Sequence, residues 1–326
     1  MTGDSSAGDP PELVAFGEAL IAFVAYPAGP LDEARDFSAH VAGAESNVAV
    51  GVARLGHRAS FAGRVGDDAF GSMIVRRLLA EGVAIEHLLR DSAAPTGMLF
   101  RNLRECPPPE VAYRRGGSAG SRLAPDDVRA ALEGLPPGTV IHVSGVTPAL
   151  SESCMSAVLV LAETAQTHQL QLFVDVNYRT RLWDKDVAAP VLRNLVASAS
   201  IVTASRHEAA LLTGEDDAAE AAAALVGLGP QVVVIRDETL GAVARTGSDS
   251  APIVVPSLAV RQTVDAVGAG DAFNAGLIAC LLEDQSLPDA IANAHVCGAA
   301  AVGVIGDIEG LPTRRELIPS ADNVRR

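Results

Sequence analysis

The stretch VDAVGAGDAFNAG at 264–276 sets Gly268, Ala269 and Gly270 between two aspartates, Asp265 and Asp271, and then runs into an apolar, helix-like segment. Glycine lacks the Cβ that would hold a ligand away from the backbone. The start of a helix carries free N–H groups and about half a positive charge, so it favours an anion and above all a phosphate. Asp271 falls in the first turn of that helix, where the same dipole would hold it ionised. From there a carboxylate can accept the proton of a hydroxyl that attacks a bound phosphoryl group. Taken alone, a glycine-rich turn before an aspartate is more often just a helix cap. The stretch is not a dinucleotide fingerprint, because Phe273 stands where the third glycine of GxGxxG belongs.

Working outward, the chain alternates between short apolar runs and helical periodicity. ELVAFGEALIAFVAY (12–26) reads as strand, Gly17–Glu18 turn and strand; AESNVAVGVARLG (44–56) reads as a helix with Ser46 or Asn47 as its cap and Gly56 at its end. Strand RASFAGRVG (58–66) and helix DDAFGSMIVRRLLAEG (67–82) follow. Strands at TVIHVSG, LQLFVDV, SIVTAS and QVVVIR are interleaved with helices over 151–168, 188–199 and 206–213. This rhythm predicts an α/β fold whose mostly parallel sheet is covered on both faces and binds ligands at the carboxyl ends of its strands. Segments 19–41 and 96–116 break the rhythm with strands that have no helix between them, and PTGMLFRN and EVAYRRGGS form a hairpin around ECPPP. They fit either a small β-sheet lid over a pocket or an antiparallel extension of the main sheet.

The composition narrows the function. Net charge is −15 in 326 residues, which opposes nucleic acid as a partner. Lys185 is the only lysine and sits in LWDKD, so there is no Walker A loop. The 1–11 segment is polar and acidic, as a disordered tail would be, and has no signal-peptide character. No charge-free apolar run is long enough to span a membrane. Cys106, Cys154, Cys280 and Cys297 show no metal spacing and read as reduced thiols of a cytoplasmic protein.

These residues together resemble the ribokinase-like (PfkB) carbohydrate kinases over nearly the whole chain. AGAESNVAVGVARLG…GRVGDDAFG resembles the family's N-terminal signature, VDAVGAGDAFNAG its C-terminal one, and SRHEAALLTG its internal metal motif. The resemblance implies a three-layer ribokinase-like sandwich over 12–326 with a β-sheet lid, and transfer of phosphate from ATP to a sugar. It makes Asp271 the catalytic base, with the backbone N–H groups of Ala269, Gly270 and Asp271 forming the anion hole behind Gly268. Glu208 would organise Mg2+ through water, and Ser205, Arg236, Gly241, Gly268, Gly270, Asn293 and Gly298 would face the nucleotide. A monovalent cation, K+, near Asp265 is left open, and pairing of lids into a homodimer is expected.

Within the family, AYRRGGSAGSRLAPDDV, HVSGVTPALS, DVNYRTRLW and GDIEGLPTR are similar to segments of the keto-deoxygluconate kinases. That similarity implies that Arg114 and Arg179 bind a substrate carboxylate, as guanidinium forks do well. It places Glu18, Gly43, Asn47 and Asp271 against the sugar, with Leu99 and Ala112 where tyrosines are usual. Ser205 replaces an asparagine, Arg236–Asp237–Glu238 replace an LG-x-x-G pattern, and Ala266 and Val267 replace threonines. A neutral-sugar kinase, a sugar-binding sensor without catalysis and, less readily, an oxidoreductase are the competing readings.

Overall fold

The structure, a computed structural model, describes residues 10–103, 110–247, 250–258 and 262–317. Most of the expected tail (1–9) and the 104–109 turn with Cys106 lie outside the described residues.

Strand β1 (Leu13–Gly17) is apolar and buried along its whole length, as a strand covered on both faces must be. Its alternate side chains serve two cores: Leu13 and Ala15 pack into one, Val14 and Phe16 into the other. The strand lies inside a nine-stranded sheet. The order is β13 (Ile253–Val255), β12 (Gly241–Arg245), β11 (Val232–Asp237), β10 (Ile201–Ser205), β9 (Gln171–Asp175), β8 (Val140–Ser144), β1, β4 (Ala59–Gly66) and β5 (Leu88–Asp91). Pairing is parallel from β11 through to β5 and antiparallel for β12 and β13. Helices α1 (Ala44–Arg54), α2 (Ala69–Ala80), α8 (Ala269–Leu282) and α9 (Leu287–Ala301) supply the first core. Helices α3 (Pro125–Leu132), α4 (Glu152–Thr167), α5 (Lys185–Ala197), α6 (Arg206–Thr213) and α7 (Ala218–Val226) supply the second. The result is the three-layer sandwich. Elements β5, β12, β13, α3 and α7 were not anticipated; none of the described helices is long and apolar enough to cross a membrane.

A separate sheet, ordered β3 (Asp36–Ala42), β2 (Leu20–Tyr26), β6 (Met98–Arg101), β7 (Val111–Arg114), forms the lid. Among the described residues it shares no ladder with the main sheet, so it is not an edge extension. Leu20, Ala22 and Ala42 cluster with Leu99, while Phe23 stacks on Phe100 at 4.9 Å and meets Phe70 of α2 edge-on at 5.6 Å. That aromatic contact ties the lid to the sandwich.

The start of α1 differs from expectation. Neither Ser46 nor Asn47 caps it; Gly43 does, at φ 139°, and Ser46 Oγ donates back to the Gly43 carbonyl at 3.0 Å. Asn47 thus sits a turn inside the helix, free to face the lid.

Candidate active site

Two cavities meet at the carboxyl ends of the strands. One, about 560 Å3, lies under the lid; the other, about 350 Å3, lies between β11–β12 and α9. Ser205, Arg236 and Gly270 line both.

The helix mouth stands at this junction. Gly268 adopts φ 80°, and a Cβ there would lie 2.6 Å from the Asp307 carbonyl oxygen, so glycine is required on both counts. Helix α8 begins at Ala269 with no side-chain cap. The first intrahelical bond, from Ala272 N to Gly268 O, leaves the amides of Ala269, Gly270 and Asp271 without helical acceptors.

Asp271 lines the lid cavity and accepts a 2.7 Å hydrogen bond from Asn47 Nδ2. Contrary to the expectation of a dipole-stabilised anion, its pKa is pushed up to about 7. Burial is the main cause and the Asn47 bond opposes it; the charges of Asp175 and Asp307 push upward as well, and Arg179 pulls down. Desolvation and neighbouring carboxylates outweigh the helix dipole here.

At the boundary with the second cavity, Arg236 pairs with Asp175 at 3.0 Å, donates to Asn274 Oδ1 at 3.1 Å and lies over the Phe273 ring. Its guanidinium is 3.7 Å from where a Gly270 Cβ would be. Gly241, Phe273, His295, Gly298 and Val302 line the second cavity. Asn293 does not: its side chain bonds Gln285 Oε1 at 3.0 Å. Positions 295, 298, 299 and 302 form one helical stripe and 293 falls off it.

Glu208 and Ser205 form a capping box at the start of α6, and Glu208 also accepts from Tyr178 N at 2.9 Å. Among the described residues no three His, Cys, Asp or Glu side chains are grouped to hold a metal. Magnesium carried on nucleotide phosphates asks for only one or two protein carboxylates, and Glu208, which like Asp175 lines the lid cavity, fits that demand.

Glu18, Gly43, Asn47, Leu99 and Arg179, all singled out in the sequence, line the lid cavity. Glu18 is buried rather than an exposed turn residue; it accepts from Ser118 Oγ and from Arg115 Nε (2.7 Å), with Arg115 Nη2 at 2.5 Å. Arg114 and Ala112 are not in the cavity. Alternate residues of a strand face opposite sides, and Val111, Tyr113 and Arg115 take the inner positions. The exposed Arg114 donates to the Tyr113 carbonyl instead. The expected arginine was therefore one residue out of register, and Tyr113 supplies the phenol that Ala112 lacks. Asp175, Arg101, Tyr113, Arg115 and Asp307 were missed; the alternation of the VAYRR strand contained the signal for Tyr113 and Arg115.

The family model described as "pfkB family carbohydrate kinase" matches residues 10–314. The chain is 34% identical over 312 residues to the 2-dehydro-3-deoxygluconokinase of Bacillus subtilis, covering 94% of each chain. It is 33% identical over 318 residues to fructokinase-1 of Zea mays, covering 94% of this chain and 96% of that one. The crystal structure of a PfkB protein from Polaromonas sp. JS666 superposes with a TM-score of 0.82 at 31% identity, covering 94% of this chain and 98% of that one.

Proposed function

We propose, from the premise that this chain belongs to the pfkB family of carbohydrate kinases and is a sugar kinase, that it transfers the terminal phosphoryl group of ATP to the terminal hydroxyl of an acidic sugar, 2-keto-3-deoxygluconate first among them. The observation that carries this reading is the meeting of the two cavities at Gly270 and Arg236, with Asp271 on the lid side.

Asp271, with a pKa near 7, can take the hydroxyl proton at neutral pH. The free amides of Ala269 and Gly270 and the Arg236 guanidinium hold the charge that spreads over the transferring oxygens. Glu208, with Asp175 beside it, would hold the magnesium ion that neutralises the nucleotide phosphates. The lid excludes water, the competing acceptor. Four arginines line the lid cavity, Arg101, Arg115, Arg179 and Arg236; Arg101 and Arg236 are ion-paired with Asp265 and Asp175, and Arg179 at the mouth with Arg115 within are the two that suit a carboxylate. Glu18 takes the Nε and Nη2 side of Arg115 and leaves Nη1 without a hydrogen-bond partner among the described residues.

A neutral-sugar kinase is the second reading, and the Glu18–Arg115 pair favours it because it cancels one of the two positive charges. Exposed positions 36–39 on the lid's edge strand β3 support pairing with a second copy, which size-exclusion chromatography checks.

The test is ADP production with keto-deoxygluconate, larger sugar acids, fructose and ribose, with Asp271→Asn as control. Turnover confined to sugar acids is expected; turnover of neutral sugars alone would replace the first reading by the second.

A further inference from the structure

We propose that Arg101 is a built-in cation behind the anion hole, serving at Asp265 in place of a monovalent metal ion, so that turnover by this chain is independent of potassium. The activity half of the argument rests on the kinase reading; the geometry does not.

Asp265 has 0% exposure and both of its oxygens are engaged. Oδ1 accepts from Val267 N at 3.2 Å; Oδ2 accepts from Gly306 N at 3.3 Å and from Arg101 Nη2 at 2.5 Å. The carboxylate thus staples the loop before the anion hole to the loop that follows α9, loops that also touch where Gly268 abuts the Asp307 carbonyl. A buried carboxylate in that role needs a positive partner. Arg101, only 4% exposed, is that partner, and the same Nη2 lies 3.7 Å from Asp307 Oδ1.

The surroundings do not suit a metal ion at Asp265. Arg101 Nε and Nη1 are buried donors without acceptors among the described residues, and their hydrogens would repel a second cation. Of the unpartnered acceptors among the described residues, Asp307 Oδ1 is within ion-pair range of the guanidinium, and Asn47 Oδ1 belongs to a neutral amide that reaches Asp307. The expectation of K+ near Asp265 therefore meets a site whose charge is balanced by a side chain.

That side chain belongs to the lid. Arg101 is the last residue of β6 and is held in register opposite Val24 and Val111. A lid strand thus supplies the counter-ion for the loop that presents the phosphate-binding amides, and Arg101 is a positioning residue acting through Asp265.

The test compares wild type in potassium, sodium and choline chloride at equal ionic strength, by turnover and by melting temperature. Wild type is expected to be indifferent to the cation in both. Arg101→Met is expected to lose about tenfold or more in kcat in choline, because it strips a buried carboxylate of its partner. It should regain part of that loss in potassium, with a potassium-selective rise in melting temperature, while Arg101→Lys keeps the wild-type indifference. Activation of wild type by potassium over choline, with a matching rise in melting temperature, would overturn the proposal. So would a folded Arg101→Met protein whose melting temperature ignores potassium. If Arg101→Met does not fold, the wild-type comparison decides. If no sugar is turned over, the substrate reading fails and the melting temperatures still test Arg101.

Discussion

Asn47 and Asp271, 224 positions apart in the chain, are joined by a 2.7 Å hydrogen bond from Asn47 Nδ2 to Asp271 Oδ2. The contact links α1, one turn in, to the first turn of α8 and favours the charged form of Asp271 against burial. Replacing Asn47 by Leu is expected to raise the Asp271 pKa, so the rising limb of kcat/KM against pH moves to higher pH. An unmoved limb would show that another group governs it.

Asp271 itself sets a pH window. With its pKa near 7, activity should climb through neutral pH, and Asp271→Asn should lower kcat by about 10²–10⁴ at pH 8. The same shift costs stability. Above the ordinary carboxylate range the unfolded chain has lost this proton while the folded protein still holds it, so folding weakens as pH rises toward 7. Asp271→Asn is therefore expected to melt higher than wild type at pH 8, with the gap closing by about pH 4.

The register of β7 separates three arginines. Arg115→Ala and Arg179→Ala should each raise KM for a sugar acid by about 10- to 100-fold, the range set by charged hydrogen bonds. Arg114→Ala, on the outer face, should leave KM unchanged. Steady-state kinetics on the three variants decide the matter: a large effect at Arg114 would place the strand in the other register.

Arg236 stands where the cavities meet. Arg236→Ala is expected to reduce kcat by about tenfold or more and to lower the melting temperature, since Asp175 loses its partner. Arg236→Lys should keep the charge but not the simultaneous contacts to Asp175 and Asn274, and so recover stability better than rate. Equal recovery of both would reduce Arg236 to a structural role.

The sandwich was legible because buried parallel strands and amphipathic helices leave different periodicities in the chain. The helix mouth was legible because only small residues tolerate its backbone, as Gly268 shows. What escaped depends on contacts between distant segments. The Ser46 or Asn47 cap failed because Gly43 turns the chain unaided, and Asn293 lies off the second cavity because the stripe of α9 that lines it is set by the packing of that helix. Arg114 failed by one position in a short strand, where a single step exchanges inside for outside. Arg101 and Asp307 carry no local signature; only the closed fold brings them together. The state of Asp271 was misjudged because a local dipole is visible in sequence and the loss of water around a carboxylate is not.

The shared wall of the two cavities has a stereochemical consequence. In the proposed reaction donor and acceptor would meet at one helix mouth, because Ser205, Arg236 and Gly270 line both cavities. The phosphorus should then pass from oxygen to oxygen in one displacement, without ever being carried by the enzyme. Both reactants must be seated together before either product leaves, and an isotopically chiral phosphate should emerge with its handedness inverted.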